Sequence, residues 1–501
     1  MLRRKKKVRP IKVSDVTIID DARLKKAITA ASLGNAMEWF DFGVYGFVAF
    51  ALGKVFFPDA SPSVQMIAAL GTFSVPFLIR PLGGVFFGML GDKYGRQKIL
   101  SITIIIMSLS TFAIGLIPSY ATIGIWAPIL LLLAKMIQGF SVGGEYTGAS
   151  IFVAEYSPDR KRGFMGSWLD FGSIAGFVCG AGVVVLISSV VGEASFLEWG
   201  WRIPFFLALP LGIIGLYLRH ALEETPAFQQ HIEQMAQDDR QGLTEGPKVS
   251  FKEIVTKHWR NLLVCVGLVI ATNVTYYMLL TYMPSYLSHN LHYSEDHGVM
   301  IIIAIMIGML FVQPIIGLLS DRFGRRIFVF MGSIGLFFLA IPAFMLINSD
   351  VIVLIFFGLL MLAVLLNFFT GVMASTLPAM FPTHIRYSAL ASAFNISVLV
   401  AGLTPTLAAW LVEVTNDLLM PAYYLMVVAV IGFITAITMK ETANKPLKGA
   451  TPAASDIAEA REIVQEHYDN IEQKIEDLDK EIEDLQHKRT NLVDQHPRIN
   501  E

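Results

Sequence analysis

Apolar residues along this chain come in runs of bilayer length. A membrane helix needs roughly 20 mainly apolar residues, and such runs recur at 27–53, 64–90, 99–117, 124–154, 164–191 and 203–220. A polar stretch of mixed charge then runs from Glu223 to Arg260. Six further apolar runs follow at 261–288, 299–319, 327–347, 351–380, 387–413 and 421–439. The pattern predicts an all-α membrane protein of twelve spans: an N-terminal six-helix bundle over 27–220, a central loop over 221–260 and a C-terminal six-helix bundle over 261–440. Residues 1–26 read as a basic N-terminus and 441–455 as a linker. Beyond the linker the period changes. Ile457, Val464, Ile471, Leu478, Leu485 and Leu492 share one heptad position, and Tyr468, Ile475 and Ile482 the paired one, which Arg461 and Arg489 interrupt. Such regularity predicts a coiled coil over 456–495. A lone amphipathic helix lying on the chain's own loops is the alternative.

Composition supports lipid as the solvent. The 501 residues are 54% hydrophobic and 16% charged, against about 25% charged in soluble proteins. A net charge of −2 gives no case for nucleic-acid binding. Cys179 and Cys265 both lie in apolar runs, so neither a disulfide framework nor a metal-ligand cluster is expected. The N-terminus, Met1-Leu2-Arg3-Arg4-Lys5-Lys6-Lys7, has no apolar stretch directly behind it and does not read as a cleavable signal peptide. Its charge suits a cytoplasmic anchor. Lys and Arg in short loops mark the cytoplasmic side. Even-numbered connections carry Lys93, Arg96 and Lys98, then Arg160, Lys161 and Arg162, then Arg322, Arg325 and Arg326, and finally Arg386; odd-numbered ones carry only Lys54 and Arg202. Both termini and the 223–260 loop are therefore expected in the cytoplasm.

A repeated string relates the two groups of spans. Gly88-Met-Leu-Gly-Asp92-Lys93-Tyr-Gly95-Arg96 follows the second span, and Gly317-Leu-Leu-Ser-Asp321-Arg322-Phe-Gly324-Arg325 follows the eighth. Gly88 and Gly95 permit close helix approach and a tight turn. Asp92 can pair with an Arg or sit at a helix N-terminus, and Arg96 can pair with an acid ending the fourth span, for which Glu155 is the candidate. Such contacts would close the cytoplasmic side and break when it opens. The expected gate is Gly88, Asp92, Gly95, Arg96, Glu155 and Arg162, with Asp321 and Arg325 in the second copy. The plainer reading is that these charges only set topology. The string resembles the loop motif of the major facilitator superfamily, which implies a 6+6 fold around a central cavity with its substrate site near the membrane midplane.

Further strings narrow the resemblance. Gly34-Asn35-Ala-Met-Glu38-Trp39-Phe40-Asp41, Lys135-Met-Ile-Gln138-Gly139-Phe140-Ser-Val-Gly143-Gly144-Glu145, Leu222-Glu223-Glu224-Thr225-Pro226 and Lys440-Glu441-Thr442 together resemble the metabolite–proton symporter family. That family includes carriers of 2-oxoglutarate, shikimate, citrate, proline and glycine betaine. With the tail added, the whole chain resembles the family's osmosensory symporters of enteric bacteria. The resemblance implies uptake of proline, glycine betaine and related zwitterions with protons, activated by high osmolality, across a bacterial inner membrane.

Charges at bilayer depth are costly and usually functional. They are Glu38, Asp41, Arg80, Lys135, Glu145 and Asp170. Glu38 and Asp41 are three residues apart and share a helix face, an arrangement suited to carrying a proton. Lys135 lies where related sugar carriers place an Arg that pairs with a first-span acid, so Asp41–Lys135 is the expected couple, and Glu38, Asp41 and Lys135 form the proton-coupling set. Arg80 can receive a substrate carboxylate or neutralise Glu38. Trp39, Tyr45, Trp168, Asn273 and Tyr276, with Arg80 and Lys135, are the candidate substrate contacts, since a quaternary ammonium ligand needs aromatic faces. Fixed ion pairs and packing rings are the plainer reading of the same residues.

Two other functions stay open. A symporter of an organic acid would need more cationic cavity groups than Arg80 and Lys135, which favours a net-neutral zwitterion. A transporter-like receptor signalling through its tail need not keep paired gate motifs. No enzyme is expected, since metal cluster, phosphate loop and nucleophile motif are missing from the sequence, and no cofactor or metal is implied. The expected partners are protons, small zwitterions, the lipid bilayer and a second copy of the chain. Arg489 would face itself in a parallel pair, so an antiparallel homodimer is expected, in which it meets acids such as Glu476, Asp477 and Asp479.

Overall fold

A computed structural model describes residues 11–94, 96–220, 251–291, 295–383 and 385–495. It divides into two units, residues 22–450 and a smaller one joining residues up to 21 with those from 451 onward.

The larger unit is helical. Eleven helices are long and apolar enough to cross a membrane, and a shorter apolar stretch, Ser101–Leu116, lies within the helix Arg96–Leu116. The spans are Asp21–Phe56, Pro62–Tyr94, Arg96–Leu116, Trp126–Tyr156, Arg162–Val191, Gly200–Tyr217, Thr256–Asn290, Glu295–Phe323, Arg325–Ile347, Ile352–Ala379, Arg386–Thr415 and Met420–Thr438. The chain is therefore a multi-pass membrane protein with twelve apolar helical segments among the described residues. Leu82, Phe311, Phe338 and Val427 stay exposed on its outside, as a lipid-facing surface requires.

Lipid offers helices no hydrophobic drive to associate, so close approach of small residues does that work. A Cβ on Gly139 would strike the backbone of Pro76, and one on Gly176 would strike that of Ala36. The first span is thus seated on the fifth, and the second on the fourth. Between the two halves, the fifth span packs along the eighth and the second along the eleventh. The fourth span is interrupted at Gly143 and Gly144, between the helices Trp126–Val142 and Glu145–Tyr156. The seventh changes to π-helical turns at Tyr277–Tyr282 and Tyr286–Asn290, a distortion that gathers at functional places.

The smaller unit corrects one expectation. The N-terminal segment is more than a basic anchor, because part of it pairs with the end of the linker. Thr17 and Ile18 lie parallel to Ala453 and Ala454. The amides of Thr17 and Ile19 each donate a 2.9 Å hydrogen bond, to the carbonyls of Pro452 and Ala454. Val16, Ala454 and Ala460 form a small core that Val13, Ile463 and Val464 flank. Strands of two residues are too short for any alternation to reveal them. The 39-residue helix Ile457–Gln495 follows, its first turn capped by Asp456, which accepts from the Glu459 amide at 2.8 Å. Val464 packs against the small core, whereas Ile475, Leu478, Ile482, Leu485 and Leu492 are exposed.

Val16→Asp puts a charge into that core, where burial without a partner is costly. The expected outcome is that amide exchange at Thr17 and Ile19 rises more than about tenfold while the middle of the long helix keeps its protection. Hydrogen-exchange mass spectrometry on the full chain checks this, and unchanged exchange at Thr17 and Ile19 would sink it.

Candidate functional site

The first span buries Glu38 and Asp41 on one face, and each finds a cation on another span. Arg80 Nη2 lies 2.7 Å from Glu38 Oε1, and Lys135 Nζ lies 3.2 Å from Asp41 Oδ2. None of the four is more than 3% exposed. Lys135 also donates to Gln138 Oε1 at 2.9 Å, and Gln138 donates in turn to Thr111 at 2.7 Å. The Lys135 ammonium sits 4.1 Å from the ring centre of Tyr45, whose hydroxyl bonds Thr72. Asp41 Oδ1 and Arg80 Nε have no hydrogen-bond partner. Glu38, Asp41, Arg80 and Gln138 line a cavity with room for about one water molecule. The structure thus brings Asp41 to Lys135, and of the two options for Arg80 it displays the contact with Glu38.

Aromatic rings from both halves meet beside this quartet. Trp39 and Tyr276 have centroids 4.6 Å apart, and Tyr277 stands 5.3 Å from Phe77. Phe177 of the fifth span approaches Tyr276 at 6.1 Å. Tyr146 stacks on Phe394 at 4.9 Å, and its hydroxyl donates to Asp170 at 3.1 and 3.2 Å. Trp39 Nε1 and Tyr276 Oη are buried without a partner. Two other candidates make contacts within their own helices. Trp168 is half-buried, and its ring neighbours are Phe164 and Phe171 of its own helix. Asn273 spends its amide on its own helix, donating to the Val269 carbonyl at 3.0 Å. Trp168 is thus not among the central rings, whereas Asn273 lies one turn from Tyr276 and Tyr277 on the seventh span.

At one end of the bundle, polar contacts tie the halves together. Asp321 accepts from the amides of Gly163 and Phe164 at 2.7 and 2.8 Å, so the eighth span caps the start of the fifth. Arg325 lies 3.7 Å from Asp321 and donates to the carbonyl of Ser375 at 3.0 Å. Arg162 contacts Asp159 and donates to the carbonyls of Ala154 at 3.1 Å and Lys445 at 2.9 Å. Glu155 meets Arg386 of the other half at 2.7 Å, with both side chains fully buried. Arg96 was the partner expected for Glu155. Gly95 lies outside the described residues, and so do the side chains of Gly88, Asp92 and Arg96. Along the sequence Arg386 reads only as a topology charge, since nothing there signals a partner 231 residues away.

The segment after the twelfth span is no loose linker up to Ala450. Glu441 accepts from the amides of Arg326, Thr442 and Ala443 at 3.0, 2.7 and 2.8 Å. Burial pushes its carboxyl up, but these amides and that of Arg325 outweigh burial and hold it below the usual carboxylate range. Farther on, Asn444 donates to Asp321 O at 3.0 Å, and Lys448 O accepts from Arg386 at 3.0 Å. Leu447 is buried between Ala154 of the first half and Ala379 of the second. This strap therefore crosses the join between halves. Pro446 and Gly449 hide it in the sequence, because they read as turn chemistry.

The arrangement can hold charge in balanced buried pairs and present rings to a small ligand. Residues 26–454 match the family model described as sugar (and other) transporter, and residues 455–500 match that described as osmosensory transporter coiled coil. The chain is 84% identical over 501 residues to the proline/betaine transporter of Salmonella typhimurium, with 100% of both chains covered. It shows the same identity and coverage with the proline/betaine transporter of Escherichia coli strain K12. It is 80% identical over 498 residues to the glycine betaine/proline/ectoine/pipecolic acid transporter OusA of Dickeya dadantii, covering 99% of each. Among solved structures, the sugar-bound proton:xylose symporter XylE aligns with a TM-score of 0.70 at 19% identity, over 85% of this chain and 98% of that one. That likeness concerns the fold, which is the major facilitator fold.

Proposed function

Because the chain belongs to the sugar (and other) transporter family, we propose that it imports zwitterionic osmoprotectants, proline and glycine betaine among them, together with protons. The observation that carries this reading is the buried, charge-balanced quartet of Glu38, Arg80, Asp41 and Lys135 beside rings contributed by both halves. Both cations already face carboxylates, which suits a net-neutral solute better than an organic dianion. The relatives named above, at 80–84% identity, point to the same solutes. A radiolabelled uptake panel of proline, glycine betaine, 2-oxoglutarate and shikimate in proteoliposomes tests it. Uptake of the acids without the zwitterions would overturn it, and an absence of counterflow for all four would favour a receptor.

The membrane is the bacterial inner membrane, with both termini in the cytoplasm, a reading that rests on Lys and Arg in the even-numbered connections. The closed end of the bundle, with Glu155, Arg162, Asp321, Arg325 and Arg386, is then the cytoplasmic gate. Proton coupling falls to Glu38, Asp41 and Lys135.

The exposed seam from Ile471 to Leu492 is the basis for a homodimer through the tail. Apolar burial drives association, and Arg489 favours the antiparallel arrangement. A coiled coil of modest stability responds to ionic conditions, so the tail sets the osmolality at which transport switches on. Ile475→Pro breaks the helix in mid-seam. It is expected to raise the activation threshold while leaving maximal uptake near the parent's. Uptake measured against osmolality checks this, and an unshifted curve would remove the tail's regulatory role.

A further inference from the structure

Two of the acids buried at bilayer depth, Glu38 and Asp41, face cations; Asp170 does not. It is 4% exposed, on the fifth span, and among the described residues its polar partner is the Tyr146 hydroxyl and no Lys, Arg or His reaches it. A bare carboxylate at that depth is expensive and marks a place where function keeps it. Its surroundings are aromatic. Tyr146 begins the second half of the interrupted fourth span and stacks on Phe394 of the eleventh. Tyr276 of the seventh span approaches Phe177 of the same fifth span at 6.1 Å, and Trp39 of the first packs on Tyr276 at 4.6 Å. The buried Trp39 Nε1 and Tyr276 Oη carry no hydrogen bond, so polar atoms here remain available to a ligand.

A quaternary or secondary ammonium is attracted to ring faces and to a nearby carboxylate, and a methylated one needs no hydrogen-bond acceptor. We propose that Asp170, with the ring faces of Tyr146, Tyr276 and Trp39, is the subsite for the ammonium end of the zwitterionic solute. The inference rests on the transport reading above and deepens it. The Tyr146 hydroxyl holds both carboxylate oxygens and is a positioning group. The four residues come from the first, fourth, fifth and seventh spans, so a bound ammonium draws on both halves at once.

The test exploits a ligand that differs from glycine betaine only in its charge. In 3,3-dimethylbutanoate a carbon replaces the ammonium nitrogen at nearly the same shape. Isothermal titration of the full chain in detergent gives the affinity ratio of glycine betaine to 3,3-dimethylbutanoate for the parent, Asp170→Asn and Asp170→Glu. The expected result is a ratio that falls more than about tenfold in Asp170→Asn, chiefly through weaker betaine binding, and recovers in Asp170→Glu. If Asp170→Asn does not fold by circular dichroism, Tyr146→Phe is measured the same way and is expected to lower the ratio in the same direction. An unchanged ratio overturns the subsite. So does an Asp170→Asn protein that binds betaine as the parent does and loses only accumulation, which would make Asp170 a proton carrier. A parent that binds neither ligand overturns the transport reading itself, an outcome distinct from both.

Discussion

Asp41→Asn is expected to abolish accumulation of solute while the protein still inserts. Among the described residues Asp41 is the carboxylate that bonds Lys135, at 3.2 Å. Asparagine keeps the shape but cannot take up or release a proton. It also leaves the Lys135 ammonium buried beside Gln138 and the Tyr45 ring without a counter-charge, and removing one member of a buried pair costs about 3–5 kcal/mol. In vesicles with an imposed difference of one pH unit, one proton per solute supports about tenfold accumulation. The variant is expected to equilibrate solute without concentrating it, so that ratio falls to about one. Glu38→Gln is the parallel case, since it strips the charge facing Arg80. Labelled glycine betaine in everted and right-side-out vesicles gives the measurement, with membrane protein quantified by blot. If both variants concentrate solute as the parent does, the proton-coupling assignment is wrong.

The second large effect concerns the pair that joins the halves. Glu155→Gln sets a neutral amide against Arg386 at a position with no solvent contact. The carbonyls of Pro378 and Lys448 still hold the guanidinium, each at 3.0 Å, so the loss falls at the low end of the usual 3–5 kcal/mol for a broken buried pair. About 3 kcal/mol moves a two-state equilibrium by roughly a hundredfold toward the open form. Removing both charges, as Glu155→Gln with Arg386→Gln, is expected to cost less than the single change, because the Arg386 charge is then no longer set against a neutral amide. The readout is maleimide labelling of a cysteine at Ala379, 7% exposed in the closed bundle, in a chain from which Cys179 and Cys265 have been removed. Labelling in Glu155→Gln at the parent's rate would show that the pair does not hold this end shut.

Much of this was legible along the chain, for reasons that differ by element. The twelve spans were readable because lipid demands long apolar runs, and the heptads because a seam repeats every seven residues. Asp41 and Lys135 could be matched because the resemblance places a cation there that pairs with a first-span acid, whereas charge alone leaves Glu38, Asp41, Arg80 and Lys135 open to other pairings. Asp321 and Arg325 stood out through repetition. Periodicity could not supply contacts made by backbone. The strap from Glu441 to Ala450 leans on the carbonyls of Lys445 and Lys448, which are the same on every residue, beside the side chains of Glu441, Asn444 and Leu447. The strand pairing of Thr17 with Ala453 is hidden for the same reason. Trp168 and its neighbour Asp170 lie about 200° apart around the helix, so two residues close in sequence face different surroundings.

The strap bears on where the transporter ends. By hydropathy the natural place to cut the chain is just after the twelfth span, near Lys440. A protein cut there would lose the carbonyls of Lys445 and Lys448, which serve the guanidinium groups of Arg162 and Arg386, and the Leu447 side chain wedged between Ala154 and Ala379. Inactivity in such a truncated protein would then report lost contacts between the halves rather than a missing tail. A deletion meant to isolate the tail's contribution has to retain the chain through Ala450, ten residues past the point that hydrophobicity alone would choose.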